Sequence, residues 1–174
     1  MAPPVQVSSE PLPRFRAFIG LGANLGPARE NLLAALDALK ALPWTDLEGV
    51  SAFYVSKPVG TQGPDYLNAV AALSTALGPH ELLNALLATE LRLGRERPWP
   101  LAPRTIDLDL LWMEGATRHS AALSLPHPRM YQRAFVLEPL AALLGQLSPK
   151  STDPTLPSPA ERAELVAQQG ISLE

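Results

Sequence analysis

The segment Pro103-Arg104-Thr105-Ile106-Asp107-Leu108-Asp109-Leu110 constrains this chain more than any other stretch. Its alternation puts Ile106, Leu108 and Leu110 on one side of an extended backbone and Thr105, Asp107 and Asp109 on the other, so Arg104 to Met113 is expected to be a strand. Residues two apart on a strand return to the same face at about 6.6 to 6.8 Å, so both carboxylates point one way. Like charges that close repel unless something positive sits between them. A hard divalent cation such as Mg²⁺, which takes oxygen ligands from carboxylates and phosphates, is one answer. A solvent-facing strand edge with two charges chosen for solubility is the other.

Four arginines, Arg92, Arg95, Arg97 and Arg104, lie just upstream against the single acid Glu96. The formal net charge of the chain is -3, which argues against nucleic acid or a membrane surface as a partner, so this basic patch is local. Arginine forks grip phosphate oxygens bidentately, and arginines beside a carboxylate pair suit polyphosphate binding and phosphoryl transfer. No Walker A motif is present and no G-x-G-x-x-G follows a strand, so a nucleotide here would not sit on a P-loop or Rossmann site. His80 and His119 have no metal-ligand partner at useful spacing, whereas His127 is held between Pro126 and Pro128. Tyr66 and Phe135, next to the polar Asn68 and Arg133, are placed to stack on a flat heterocycle or to be core.

The other elements follow from periodicity. Phe15 to Leu21 reads as a buried strand leaving into Gly22-Ala23-Asn24, and Gly26-Pro27 opens a helix with Leu32, Leu36 and Leu39 on one side, stopping before Pro43. Thr45 to Tyr54 is a second strand, Val55 to Asp65 a long loop, and Tyr66 to Leu77 a third strand. Gly78-Pro79 starts a second helix, with Leu82, Leu83, Leu86, Leu87 and Leu91 as a wide apolar face ending at Gly94. Strand, helix, strand, strand, helix, strand is the order of a ferredoxin-like α+β sandwich, an antiparallel sheet with two helices on one face. Downstream come a short strand near Leu123-Leu125, the His127-Pro128 loop and a helix from about Gln132 to Leu144.

At 174 residues the chain suits one domain with tails. We divide it into a flexible N-terminal tail (1–13), a main domain (14–146) and a Pro- and Ser-rich C-terminal extension (147–174). In the last, Ser158-Pro159-Ala160-Glu161 has the cap, first-turn proline and capping-box Glu of a short helix. Cysteine is absent, which excludes disulfides, thiolate zinc sites and cysteine nucleophiles. No apolar run reaches the roughly 20 residues of a membrane span, and the start lacks a secretory pattern. The expected location is the cytoplasm.

Five ordered blocks carry a resemblance. Phe18-Ile19-Gly20-Leu21-Gly22-Ala23-Asn24-Leu25-Gly26, Ser51-Ala52-Phe53-Tyr54, Pro64-Asp65-Tyr66-Leu67-Asn68-Ala69, the Pro103 to Leu110 segment, and Pro126-His127-Pro128-Arg129-Met130 through Arg133-Ala134-Phe135 together resemble the 6-hydroxymethyl-7,8-dihydropterin pyrophosphokinases of folate biosynthesis. The resemblance spans about Phe15 to Leu144. It implies a three-layer αβα variant of the ferredoxin-like sandwich, and transfer of the β,γ-diphosphate of ATP to the pterin hydroxymethyl oxygen with release of AMP. It also implies two Mg²⁺ ions on Asp107 and Asp109, and triphosphate contacts from Arg95 and Arg104, with Arg97 on a mobile loop.

His127 and Arg133 would touch the ATP phosphates from the other side, Glu90 would position the nucleotide-side arginines, and Ile106 would belong to the ATP site. The pterin would lie between Tyr66 and Phe135, its polar edge read by Asn68 and the chain around Ser56, Pro58 and Val59. One departure from the family pattern is Trp99-Pro100-Leu101-Ala102-Pro103-Arg104, where the family has Trp-Gly directly before Pro-Arg. ATP and the pterin are the expected partners, and other folate-pathway enzymes are a further one. The residues alone leave two alternatives: another nucleotidyl- or glycosyltransferase using a D-x-D metal pair, and a ferredoxin-like module that binds ligand without catalysis.

Overall fold

The structure is a computed structural model that describes residues 11–58, 63–95 and 104–174. Val59, Arg97 and Trp99 lie outside these, as do residues 1–10. The elements run β1 (Phe15–Ala23), α1 (Ala28–Lys40), β2 (Thr45–Val50), β3 (Tyr54–Ser56), β4 (Tyr66–Thr75), α2 (Pro79–Arg92) and β5 (Asp107–Met113). They continue with β6 (Arg118–His119), β7 (Ser124–Leu125), a single 3₁₀ turn (Met130–Gln132), α3 (Ala134–Leu144), α4 (Pro159–Gln169) and β8 (Ser172–Leu173). Strand order in the main sheet is β5-β1-β4-β3-β8, with β2 also on β4, and each pairing is antiparallel. This is the ferredoxin-like order.

Alternation along β1 explains the layers. Ala17, Ile19, Leu21 and Ala23 bury one face with Leu32, Leu36 and Leu39 of α1 and Leu82 and Leu86 of α2. Phe18 faces the other way and packs with Val70, Leu111, Trp112 and, from α3, Val136, Leu140 and Leu143. Helices on both faces make the architecture three-layered. Beyond Phe18 on that second face the residues are Gly20 and Gly22, and there the cover of α3 gives way to a cleft. Among the described residues, no helix is long and apolar enough to cross a membrane.

Several boundaries differ from the sequence expectation. The second strand is two strands, β2 ending at Val50 and β3 beginning at Tyr54, and within β2 the register on β4 shifts between Leu47 and Gly49. A Cβ at Gly49 would lie 3.0 Å from Leu143 Cδ1, so the shift occurs where α3 packs close to the strand. The third strand stops at Thr75, whose hydroxyl accepts the Leu77 N–H (3.1 Å) and turns the chain. The fourth begins at Asp107 rather than Arg104, since the Arg104 N–H donates to Asn24 Oδ1 (2.8 Å) and its carbonyl accepts from the Asn24 and Leu25 amides. Alternation in β5 fails after Leu110, where a bulge opposite Phe18/Ile19 lets Leu111, Trp112 and Met113 all be buried. On α2 the apolar face is narrower than expected, with Leu91 72% exposed. The third helix starts at Ala134, two residues late, behind the 3₁₀ turn.

The far end of β1 carries a polar clasp. Buried Arg16 donates to Glu48 (2.7 Å), Asp153 (3.0 Å) and the Ser148 carbonyl (3.1 Å). Glu114 accepts from the Arg16 N–H (3.0 Å), Lys150 Nζ (2.9 Å) and Thr152 Oγ1 (2.8 Å), tying the β1/β5 end to residues 150–152. The amide of Arg16 and then the two side-chain donors pull the Glu114 carboxyl from 4.5 to about 2. A depressed carboxylate stabilises the fold above its unfolded pKa and loses that contribution as pH falls through the folded value. Glu114→Gln is therefore expected to cost about 2 kcal/mol at pH 7 and to flatten stability between pH 4.5 and 2, as read by urea unfolding across that range. A parallel acid limb in the variant would refute the clasp.

Candidate active site

The register of three strands builds the cleft floor. Gly22 pairs with Asp107 on one side and Asn68 on the other, and Gly20 pairs with Asp109 and Val70. With neighbouring strands about 4.8 Å apart, the two aspartates and Asn68 stand on opposite banks of a trough whose bed has no side chains. A Cβ at Gly22 would meet Asn68 Oδ1 at 3.5 Å and the Tyr66 ring at 3.9 Å, so a larger residue would fill the trough. The resulting cavity, about 330 Å³, is lined by Ser56, Tyr66, Asn68, Arg104, Asp107, Asp109, Arg133 and Phe135 among others. A second cavity of about 260 Å³ lies beside it between α2 and the 120–128 segment, lined by Leu87, Arg95, Leu123 and His127. Asp109 borders both.

The charged bank is an alternating network. Asp107 Oδ1 pairs with Arg95 Nη2 at 2.8 Å and its other oxygen with Arg104, while Arg95 also pairs with Glu90. Glu90, 2% exposed, accepts the Leu108 N–H at 2.6 Å, so one buried carboxylate fixes both β5 and the arginine. Burial drives the Glu90 carboxyl up, and the Leu108 amide and Arg95 oppose it. Asp109 is more open, its side chain 38% exposed and its nearest cation among the described residues Arg133 at 3.7 Å. Burial of its carboxyl, and then the charge on Asp107, raise its pKa. Among the described residues the buried Arg95 Nε–H has no acceptor, a donor ready for an anionic oxygen.

His127 is held by its backbone, the N–H donating to the Leu111 carbonyl (2.7 Å). Its Nδ1 accepts the Arg129 N–H (3.2 Å), so the neutral ring carries its proton on Nε2. Burial lowers its pKa, which keeps that neutral form. Across the trough, Asn68 Nδ2 donates to Ser56 Oγ (2.9 Å) and the Tyr54 carbonyl (3.2 Å), which locks the amide orientation. Tyr66 and Phe135 are half-buried on the walls, and the Arg133 guanidinium lies 5.5 Å from the Phe135 ring centre.

Residues 18–145 match the family model of 7,8-dihydro-6-hydroxymethylpterin-pyrophosphokinase (HPPK). The chain belongs to this family. It is 47% identical over 133 residues to 2-amino-4-hydroxy-6-hydroxymethyldihydropteridine pyrophosphokinase of Pseudomonas aeruginosa, covering 76% of this chain and 82% of the relative. Its namesake from Haemophilus influenzae is 40% identical over 153 residues, 87% of this chain and 91% of that one. A crystal structure of wild-type Plasmodium falciparum HPPK-DHPS with SDX-DHP has a TM-score of 0.63 at 12% identity, over 92% of this chain and 46% of that one. That last likeness concerns the fold. This pyrophosphokinase is thus an ATP-dependent diphosphotransferase of folate biosynthesis, acting on hydroxymethyldihydropterin.

Of the pyrophosphokinase residues expected from sequence, Ser56, Tyr66, Asn68, Arg104, Asp107, Asp109, Arg133 and Phe135 line the first cavity, and Arg95 and His127 the second. Glu90 lines neither and acts from beneath, through Arg95. The Ile106 side chain is fully buried in the α1/α2 core, so it reaches no ligand itself. Pro58 is half-buried beside the first cavity without lining it, and Val59 and Arg97 lie outside the described residues. Gly20, Gly22, Lys57, Arg129 and Gln169 line the first cavity unforeseen. For the glycines a signal existed: they share a face of β1, a spacing that leaves one side of a strand bare.

Proposed function

We propose that the pterin occupies the first cavity and the nucleotide the second, with the triphosphate crossing at Asp109. The observation that carries this is that Asp109 borders both cavities while its partner Asp107 faces Asn68 across the glycine bed. Tyr66 and Phe135 flank the heterocycle. Asn68, its Nδ2 taken by Ser56 and Tyr54, presents Oδ1 to a ring N–H donor. Leu83, Leu87 and Leu123 give the second cavity an apolar wall suited to adenine.

The donor set fits Mg²⁺: two carboxylates on one strand face, oxygen ligands only, with Asp109 open toward both cavities. Asp107 and Asp109 would hold two ions, which supply neutralisation of charge on the phosphate oxygens. Arg95 and Arg104, both paired with Asp107, turn to the triphosphate when Asp107 is otherwise engaged, and Arg97 joins them. His127 donates through Nε2–H and Arg133 through its guanidinium from the opposite bank. The pterin hydroxyl oxygen attacks the β-phosphorus and gives up its proton to water, the bond from that phosphorus to the α,β-bridging oxygen breaks, and AMP leaves with the electron pair. Apart from the two aspartates, no carboxylate or histidine among the described residues lines the pterin cavity, so catalysis rests on positioning and electrostatics. Consumption of ATP and the absence of cysteine support a cytoplasmic setting, and a neighbouring folate enzyme is a natural partner.

Chromatography of a single-turnover mixture tests the reading: AMP and pterin diphosphate should form in equal amounts, and ADP as the main nucleotide product would refute it. For the pterin walls, Tyr66→Ala or Phe135→Ala is expected to weaken pterin binding by about 1 to 3 kcal/mol while ATP affinity changes little. Calorimetry finding ATP binding lost and pterin binding kept would put these rings outside the pterin cavity.

A further inference from the structure

Residues 159–174 follow the segment matched by the family model, and they close part of the pterin cavity. The helix α4 begins at a complete capping box, Ser158 with Glu161, and ends at Gly170 in the left-handed conformation (φ 64°), which turns the chain into β8. Ser172 and Leu173 then pair with Val55 and Tyr54, directly before the cavity-lining Ser56. The last turn of α4 presents Gln169. Its Oε1 accepts the Ala134 N–H at 2.8 Å and its Nε2 donates to the Gln132 carbonyl at 2.8 Å, and the side chain lines the first cavity.

These bonds bracket Arg133. That residue is the N-cap of α3, in extended conformation and with no side-chain cap of its own. A capping side chain would satisfy the first amides of the helix, but the Arg133 guanidinium is directed to Asp109 and over the Phe135 ring. The acceptor comes instead from α4. Because one amide group grips the backbone before and after Arg133, it sets the direction in which Arg133 leaves the helix and the start of the turn that carries Phe135.

We propose that Gln169 is a positioning residue for the transfer reaction, clamping the backbone on both sides of Arg133 so that Arg133 and Phe135 meet the substrates. The proposal rests on the reading that these two residues face the triphosphate and the pterin. Gln169→Met keeps the length of the stem and removes both polar atoms. Arg162→Ala removes the other polar tie between α4 and α3, the 3.0 Å pair with Glu138, without touching the cavity.

Pterin affinity is measured by calorimetry with a non-hydrolysable ATP analogue present, alongside KM, kcat and the thermal midpoint, for Gln169→Met, Arg162→Ala and Phe135→Ala. Gln169→Met should bind pterin three- to tenfold more weakly with KM raised to match, whereas Arg162→Ala should lower the midpoint and leave pterin affinity within twofold. Gln169→Met binding within twofold of the native protein, with Phe135→Ala impaired, overturns the clamp alone. Equal weakening in Arg162→Ala also overturns it, since general packing of α4 would then suffice. Undiminished affinity in Phe135→Ala overturns the underlying reading and the clamp with it.

Discussion

Asp109→Asn is expected to lower kcat by roughly two to four orders of magnitude with the fold retained, because on the proposed assignment it loses a metal carboxylate and with it several kcal/mol of transition-state stabilisation. The Asp109 side chain is 38% exposed and its cation partner is 3.7 Å away, so little native-state energy depends on its charge. Asp107→Asn should cost as much activity but some stability too, since Arg95 and Arg104 both lean on its carboxylate. Single-turnover AMP formation over a range of Mg²⁺ concentrations, paired with thermal midpoints, separates the two effects. Near-native turnover in Asp109→Asn would sink the assignment of that carboxylate to the metal.

Glu90→Leu should be the most destabilising change in the site. It leaves the Arg95 guanidinium, 7% exposed, without its buried partner, and removes the acceptor for the Leu108 N–H on β5, an edge strand of the sheet. Breaking one side of a buried pair costs about 3 to 5 kcal/mol, whereas replacing both members by apolar residues is often neutral. Glu90→Leu/Arg95→Leu is therefore expected to recover much of the urea midpoint yet stay inactive, having lost an arginine proposed to grip the triphosphate. If the double variant were no more stable than the single one, the Leu108 bond rather than the ion pair would be carrying the energy.

Much of the candidate site was legible because its chemistry is written locally. Asp107 and Asp109 share a face by strand periodicity alone, and His127 between two prolines and the arginine cluster stand out by composition. Glu90 was harder to read. It falls on a helix whose leucine pattern suggested an apolar face, and only its placement under Arg95 reveals a buried carboxylate with two jobs. The exposure of Leu87 and Leu91 has the same origin, since helix periodicity shows which residues share a face but not how wide a strip the sheet covers.

Local pattern specified the element types, the ferredoxin-like order and the carboxylate pair, because period-two and 3.6-residue alternation are properties of neighbouring residues. Three-dimensional packing specified what depends on register between distant segments. The glycine bed requires β1 to lie between β4 and β5 in one alignment, so that Gly22 faces both Asp107 and Asn68. The register shift within β2 falls where Leu143 of α3 packs close to Gly49. The C-terminal segment read as a Pro- and Ser-rich extension with a helix, yet its Gln169 grips the backbone around Arg133, 36 residues earlier in the chain. No local signal marks such a contact, since a glutamine on a short helix takes its partners from whatever backbone the fold brings within 3 Å.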